Sequence, residues 1–119
     1  MKKVEIVEVG LRDGLQNEKR VISNDIKVEM AKRLAEAGVR RMEIAAFVRA
    51  DKIPQMAGSK EVTEKVLALQ KQKKISSDVI FSALVPNSVG MNEALATGVK
   101  EVAVFASCTE SFSQANINC

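Results

Sequence analysis

The residues best suited to chemistry lie in one short stretch near the start of the chain, residues 8–18. This stretch places Arg12 directly beside Asp13, with Gly10 and Gly14 on either side of the pair. A guanidinium stays charged and forks its donors, and a carboxylate offers hard oxygen ligands, so the pair could hold an anionic oxygen next to a metal ion. The glycines would let the backbone turn tightly around it. The same pattern also fits a salt-bridged surface turn, and the spacing alone leaves both interpretations open.

The composition is that of an ordinary globular domain, and it narrows the chemistry. The 119 residues are 46% hydrophobic and 28% charged, with a net charge of +3, which predicts one domain over residues 1–119. The chain has no Trp or Tyr and only four Phe, so it lacks stacking platforms for nucleic acid, and we expect no nucleic-acid partner. Because the chain has no His, it cannot by itself form Ser-His or Cys-His nucleophile pairs or an imidazole metal ligand.

The cysteines and the charge pattern indicate a cytoplasmic protein. Cys108 and Cys119 are the only two cysteines and lack the spacing of a zinc site or a disulfide framework. Glu5 and Glu8 interrupt the apolar segment that a signal peptide would need, and no apolar run approaches membrane-spanning length. We therefore expect no membrane partner.

The elements that must position Arg12 and Asp13 alternate between strands and helices. An apolar run at residues 4–9 predicts a short buried strand directly before the pair, and three later runs predict strands at residues 40–48, 79–85 and 101–106. Cap residues and helical spacing predict three helices between them. Their predicted apolar faces are Ile26, Met30, Leu34 and Ala37 before Gly38; Val62, Val66 and Leu69 after Ser59; and Ala94 and Leu95 between an Asn87 or Ser88 cap and Gly98.

This β-α-β-α-β-α-β order predicts an α/β fold with a parallel sheet and right-handed crossovers. It fits a small doubly wound sheet or the first half of an eight-stranded TIM barrel, which typically needs about 250 residues. The turn after the first predicted strand does not match the GxGxxG pattern of the doubly wound folds. The barrel is favoured because unusual polar residues gather at the carboxyl ends of the strands, where barrel enzymes place their active sites. These residues are Arg12, Asp13, Glu43, Asn87, Thr109 and Glu110.

Four separate segments resemble the hydroxymethylglutaryl-CoA lyases, a family within the metal-dependent TIM-barrel lyases and condensing enzymes. The Arg-Asp-Gly core is shared with isopropylmalate and homocitrate synthases, but those usually continue with Glu-Gln where this chain has Leu15-Gln16. The resemblance therefore favours the lyases. The matching segments are Glu8-Val9-Gly10 with residues 12–18, Glu43 with Phe47-Val48, Pro54-Gln55-Met56, and Asn116-Ile117-Asn118-Cys119.

The resemblance implies cleavage of 3-hydroxy-3-methylglutaryl-CoA, an acyl-CoA substrate, to acetoacetate and acetyl-CoA with Mg²⁺ or Mn²⁺. On the matching positions, Asp13 would bind the metal and would also be part of the proton relay, and Arg12 would face the developing enolate oxygen. Glu43 would orient Arg12 or the waters of the metal. Gln16 would help to bind substrate and Glu8 would support the turn, although a purely structural role fits each of these two residues equally well.

The resemblance also shows what this chain lacks. The family completes its metal site with a His-x-His segment and an asparagine, and a glycine-rich loop with a reactive cysteine covers the substrate; none of these is in the 119 residues. We therefore expect the N-terminal half of a barrel, about four βα units, that is catalytically incomplete alone and that forms a homodimer as the full-length enzyme. Two alternatives stay open: a related condensing enzyme, and a non-catalytic half-barrel that self-associates through its open edges.

Overall fold

The computed structural model describes residues 2–105, and its helices and strands alternate along the chain. Three parallel strands form one sheet in the order β1-β2-β3. This arrangement confirms the parallel βα pattern for the last three predicted strands, although position 106 and the segment after it lie outside the described residues. The elements are α1 (Asn24–Glu36), β1 (Arg41–Ala46), α2 (Ser59–Lys71), β2 (Ile80–Leu84), α3 (Ser88–Thr97) and β3 (Glu101–Ala103).

The prediction of a buried strand at residues 4–9 is wrong. The segment runs beside β1 but makes a single parallel bridge, at Glu8. There the Glu8 N–H donates to the Arg41 carbonyl at 2.9 Å, and the Glu8 carbonyl accepts from the Glu43 N–H at 2.9 Å. Ile6 is 79% exposed. An apolar run becomes a buried strand only where other elements cover its faces, and nothing within residues 2–105 covers this one.

Helix α1 buries the predicted face only in part. Met30 and Leu34 of the predicted stripe are partly buried and pack against the core, whereas Ile26 and Ala37 are exposed, and the fully buried positions are Lys27, Ala31 and Ala35. Both stripes have helical spacing, so periodicity alone cannot choose between them. The small side chains of the two alanines let α1 approach its neighbours closely, and they bring the lysine into the interior with them.

The other two helices follow the predictions more closely. In α2, Val62 and Val66 are buried in the core as predicted. In α3, Ala94 is buried but Leu95 is 67% exposed, so half of that predicted face is wrong. In residues 2–105 no helix combines the length and the apolar character that crossing a membrane requires.

The first turn of α3 packs directly against the end of β1. The side chain of Asn87 caps the helix by accepting from the Gly90 N–H at 2.9 Å. A Cβ atom at Gly90 would lie 2.5 Å from the carbonyl oxygen of Phe47, closer than real Cβ contacts come. Gly90 therefore sets how closely the helix can approach the end of β1.

Candidate active site

Arg12 and Asp13 lie on a single tight helical turn, Gly10–Gly14. The turn is wound as a π-helix, and its last N–H donates to the carbonyl of Val9 at 3.2 Å. Leu11 is only 1% exposed and fixes the turn to the core. With the turn held at that point, the side chain of Asp13 extends towards solvent and that of Arg12 reaches Glu43 of β1.

Glu8 supports the start of this turn. Its carboxylate oxygen Oε1 accepts a hydrogen bond from the Gly10 N–H at 3.1 Å. A Cβ atom at Gly10 would lie 2.7 Å from the same oxygen, so a larger residue would displace the carboxylate. The structure thus gives Glu8 a structural contact to the turn, one of the two roles that the sequence left open.

The structure brings Arg12 and Glu43 together across 31 positions of sequence. The Arg12 Nε donates to the Glu43 Oε1 at 2.5 Å, and the two side chains are only 18% and 10% exposed. Charge-assisted hydrogen bonds of this kind are stronger than neutral ones, and a partly buried carboxylate requires such a partner. Glu43 therefore fixes the direction in which the guanidinium points.

Glu43 also lies beside an irregularity in the pairing of β1. It pairs with Ser82 of β2, but the next pair joins Ala45 to Ala83, which leaves Ile44 as an extra residue. Such a bulge bends a strand and changes the direction of nearby side chains, and bulges are common next to active sites. The sequence showed only that a carboxylate interrupts an apolar run and gave no sign of the bulge.

Asp13 is the accessible carboxylate of the turn. Its side chain is 56% exposed, and its Oδ1 lies 3.3 Å from the Arg12 Nη1. Its backbone carbonyl accepts from the side-chain amide of Asn17 at 2.8 Å. The backbone of Asp13 is thereby fixed while its carboxylate stays open to a ligand.

Gln16 carries a buried oxygen without a hydrogen bond. Its Oε1 is shielded from solvent and has no partner among residues 2–105. A buried acceptor without a donor costs free energy, and such groups are uncommon in folded proteins. The predicted substrate contact of Gln16 is not tested by this observation, but the oxygen is a suitable acceptor for a ligand donor.

The described residues fit a divalent metal only in part. Asp13 supplies one exposed carboxylate, which is the type of ligand that Mg²⁺ and Mn²⁺ prefer. Residues 2–105 contain no group of three or more His, Cys, Asp or Glu that could hold an ion. Asp13 therefore fits as one ligand of a site whose other ligands must come from water, substrate or residues beyond this part of the chain.

Two supporting residues were given no role in the site from the sequence, although Gln55 lies in the matching segment Pro54-Gln55-Met56. Gln55 donates from its Nε2 to the Glu18 carbonyl at 2.8 Å, and Lys27 donates from its Nζ to the Gln55 carbonyl at 2.5 Å. Lys27 is 3% exposed, and this burial lowers its pKa because the ammonium loses solvating water. A lysine at helical spacing from Ala31 and Ala35 was the available signal.

Some predicted residues play no part in this geometry. Asn87 was predicted at the same edge of the sheet as Arg12 and Asp13, but its side chain caps α3. Thr109, Glu110, both cysteines and the segment at positions 116–119 lie outside the described residues.

Comparison with known proteins identifies close relatives. The HMGL-like family model matches residues 3–119. A 3-hydroxy-3-isohexenylglutaryl-CoA/hydroxymethylglutaryl-CoA lyase of Pseudomonas aeruginosa is 48% identical over 118 residues, which cover 99% of this chain and 37% of that protein. The crystal structure of hydroxymethylglutaryl-CoA lyase from Pseudomonas aeruginosa matches with a TM-score of 0.85 and 47% identity, over 99% of this chain and 37% of that one.

A third match includes bound ligands. It is the structure of a hydroxymethylglutaryl-CoA lyase from Acinetobacter baumannii in complex with coenzyme A and 3-methylmalate. The TM-score is 0.86 at 27% identity, over 97% of this chain and 35% of that one. The chain thus spans little more than a third of the length of these proteins. Its parallel sheet and these matches confirm the predicted fold, part of a TIM barrel.

Proposed function

The chain belongs to the HMGL-like family, and from that premise we propose that the protein is a carbon–carbon lyase acting on 3-hydroxy-3-methylglutaryl-CoA. The observation that carries the proposal is the Arg12–Glu43 ion pair with the exposed carboxylate of Asp13 beside it. One fixed cation and one open hard ligand are suited to stabilise the negative charge that develops when a bond next to a thioester is cleaved. The relatives described above are named as lyases, which supports cleavage over condensation.

The proposed reaction reverses a Claisen-type condensation. A base removes the proton of the tertiary hydroxyl, the oxygen forms a carbonyl, and the bond between C2 and C3 breaks. The electron pair of that bond moves into the thioester and gives an enolate. Protonation of the enolate carbon yields acetyl-CoA, and the other product is acetoacetate. Negative charge therefore moves from the hydroxyl oxygen to the thioester oxygen.

Arg12 is suited to stabilise the thioester oxygen in this reaction. A guanidinium has five N–H donors, of which one contacts Glu43 and another contacts Asp13. The remaining donors can face a substrate oxygen. Because Glu43 holds the guanidinium in place before substrate arrives, little reorganisation is needed as the enolate charge develops.

Asp13 is the proposed metal ligand. A bound Mg²⁺ or Mn²⁺ would act as a Lewis acid towards the oxygens of the substrate. The exposed Asp13 carboxylate would also take part in the proton relay from the substrate hydroxyl. Gln16, whose Oε1 has no partner within residues 2–105, would accept a hydrogen bond from the substrate.

The experiment that tests the proposal is a product assay with Mg²⁺ or Mn²⁺ on the protein that contains this chain. Release of both acetyl-CoA and acetoacetate from 3-hydroxy-3-methylglutaryl-CoA is the expected result. Free CoA formed from acetyl-CoA and a 2-oxo acid would instead identify a condensing enzyme. The 3-hydroxy-3-isohexenylglutaryl thioester is a necessary second substrate, because the Pseudomonas aeruginosa relative is named for both.

A variant of Arg12 provides the internal control. Arg12→Gln should remove nearly all cleavage, whereas Arg33→Gln should leave it unchanged, because Arg33 pairs with Glu29 on the exposed face of α1. Equal activity of the two variants would refute the proposed role of Arg12.

Homodimer formation and a cytoplasmic location remain predictions, to be checked by light scattering and by cell fractionation.

A further inference from the structure

We propose that Gln55 is a positioning residue for the turn that carries Arg12 and Asp13, and that the buried ammonium of Lys27 holds Gln55 in place. The inference rests on the proposed function, since it concerns the same site. It assigns a task to a buried charged group that the proposed reaction does not use.

The first contact joins two loops that are far apart in sequence. Gln55 lies in the short 3-10 turn Pro54–Met56, and its side-chain amide donates to the carbonyl of Glu18 at 2.8 Å. The Glu18 N–H in turn donates to the Leu15 carbonyl at 3.1 Å. Gln55 therefore holds the end of the segment that begins with the π-helical turn Gly10–Gly14.

The hold on Glu18 reaches Asp13 within a few residues. The N–H of Asn17 donates to the Gly14 carbonyl at 3.3 Å, and its side-chain amide donates to the Asp13 carbonyl at 2.8 Å. Arg12 is separately fixed by Glu43. Loss of the Gln55 contact should thus disturb Asp13 more than it disturbs Arg12.

Lys27 fixes the other side of Gln55. Its Nζ donates to the Gln55 backbone carbonyl at 2.5 Å, and Lys27 as a whole is 3% exposed. Among the ion pairs of residues 2–105, none includes Lys27. A buried ammonium without a carboxylate is costly, and most lysines extend their charged end into water. This lysine instead donates to a single loop carbonyl, which indicates that the position of that carbonyl matters.

The loop that carries Gln55 is held rigidly on its far side as well. Pro54 begins the turn with a restricted backbone, and Met56 is 2% exposed. The hydroxyl of Ser59 donates to the Met56 carbonyl at 2.7 Å and accepts from the Ala46 N–H at the end of β1 at 3.2 Å. The loop of Gln55 is thus hydrogen-bonded to both β1 and α1, so its side-chain amide is held in a fixed position relative to the π-helical turn.

The test compares Gln55→Met with Gln70→Met in the protein that contains this chain. Gln70 is a matched control, because its side-chain amide also bridges loop carbonyls, those of Ser76 and Val79, at 2.9 and 2.8 Å. The measurements are hydrogen exchange at the amides of Asn17 and Glu18, the dissociation constant for Mn²⁺, and kcat and KM.

The inference predicts a distinct pattern for Gln55→Met. Exchange at Asn17 and Glu18 should become faster, the dissociation constant for Mn²⁺ should rise about tenfold or more, and kcat should fall further than KM changes. Gln70→Met should change only exchange near its own loop. Lys27→Met should reproduce the pattern of Gln55→Met, and Lys27→Arg, which keeps a charged donor, should restore part of it.

Unchanged exchange at Asn17 and Glu18 in Gln55→Met would overturn the inference, as would an equal effect of Gln70→Met on Mn²⁺ binding. If Lys27→Met does not fold, Gln55→Met decides alone, because it leaves the lysine in place. A wild-type protein that does not cleave the thioester would refute the proposed function instead. The exchange measurement would still judge the positioning role in that case.

Discussion

Replacement of Glu43 by glutamine should uncouple Arg12 from its support while it preserves the shape of the side chain. The amide can still accept a hydrogen bond, but the partly buried guanidinium loses the negative charge that it faces at 2.5 Å. Removal of one partner from a buried ion pair costs about 3–5 kcal/mol, and an exposed pair contributes about 0.2–1 kcal/mol. With side chains 18% and 10% exposed, we expect the unfolding free energy to fall by about 1–3 kcal/mol.

The effect on catalysis should be measurable separately from the effect on folding. Loss of a group that orients a residue in the site typically lowers activity or metal affinity about 10- to 100-fold. Urea denaturation gives the stability change, and release of acetyl-CoA gives kcat. We expect kcat to fall within that range under conditions in which the variant is fully folded.

A second glutamate supplies the matched control. Glu101 also faces an arginine at 2.5 Å, but it is 43% exposed, and its partner Arg41 keeps a second carboxylate, that of Glu5. Glu101→Gln should therefore change the unfolding free energy by less than about 1 kcal/mol and leave kcat unchanged. If Glu43→Gln and Glu101→Gln have the same kcat, Glu43 does not act through Arg12 and the reasoning fails.

Three further predictions follow from other parts of the structure. Gly90→Ala should lower the unfolding free energy by about 1–3 kcal/mol in urea denaturation, because the added methyl group would clash with the Phe47 carbonyl. A Cβ atom at Gly14 would have nothing within 4 Å, so Gly14→Ala should change the unfolding free energy by less than about 0.5 kcal/mol. Equal losses in the two variants would contradict this explanation. The pKa of Lys27 is lowered in the folded state, so the unfolded state binds more protons at alkaline pH. The unfolding free energy should therefore rise with pH as the lysine deprotonates. If the difference in unfolding free energy between wild type and Lys27→Met does not vary with pH, this prediction is refuted. Removal of divalent metal with EDTA should abolish cleavage, and Asp13→Asn should raise the Mn²⁺ concentration needed to restore it about 10- to 100-fold; full activity in EDTA would exclude the metal role.

Much of the fold could be predicted because its signals are local. The cap residues Ser23 and Asn87 and the stop at Gly98 mark helix ends that the structure reproduces within a residue or two. The apolar runs at β1 and β2 are likewise mostly buried, with Ile80 at the start of β2 exposed. The segment at residues 4–9 was predicted wrongly because burial of a strand depends on what covers it, and a local apolar pattern carries no information about a distant cover.

Some residues of the candidate site could likewise be predicted from local sequence signals, and others could not. Arg12 and Asp13 stand out in sequence because they follow an apolar run directly, and Glu43 stands out because it interrupts one. Lys27 does not stand out, and Gln55 stands out only as part of the matching segment Pro54-Gln55-Met56, because both contact backbone carbonyls and every residue has one. A hydrogen bond from a side chain to a distant carbonyl leaves no compositional signal, so only the three-dimensional structure could reveal it.

In the proposed reaction, the guanidinium of Arg12, held by Glu43, stabilises the enolate formed when the thioester substrate is cleaved. The most direct measurement is kcat for 3-hydroxy-3-methylglutaryl-CoA in Arg12→Lys, which keeps the positive charge but loses the forked donors. We predict that kcat falls by about 100-fold or more, the scale of a lost oxyanion donor, with little change in KM, while Arg33→Lys matches wild type. An Arg12→Lys protein that cleaves the substrate at the wild-type rate would contradict the claim.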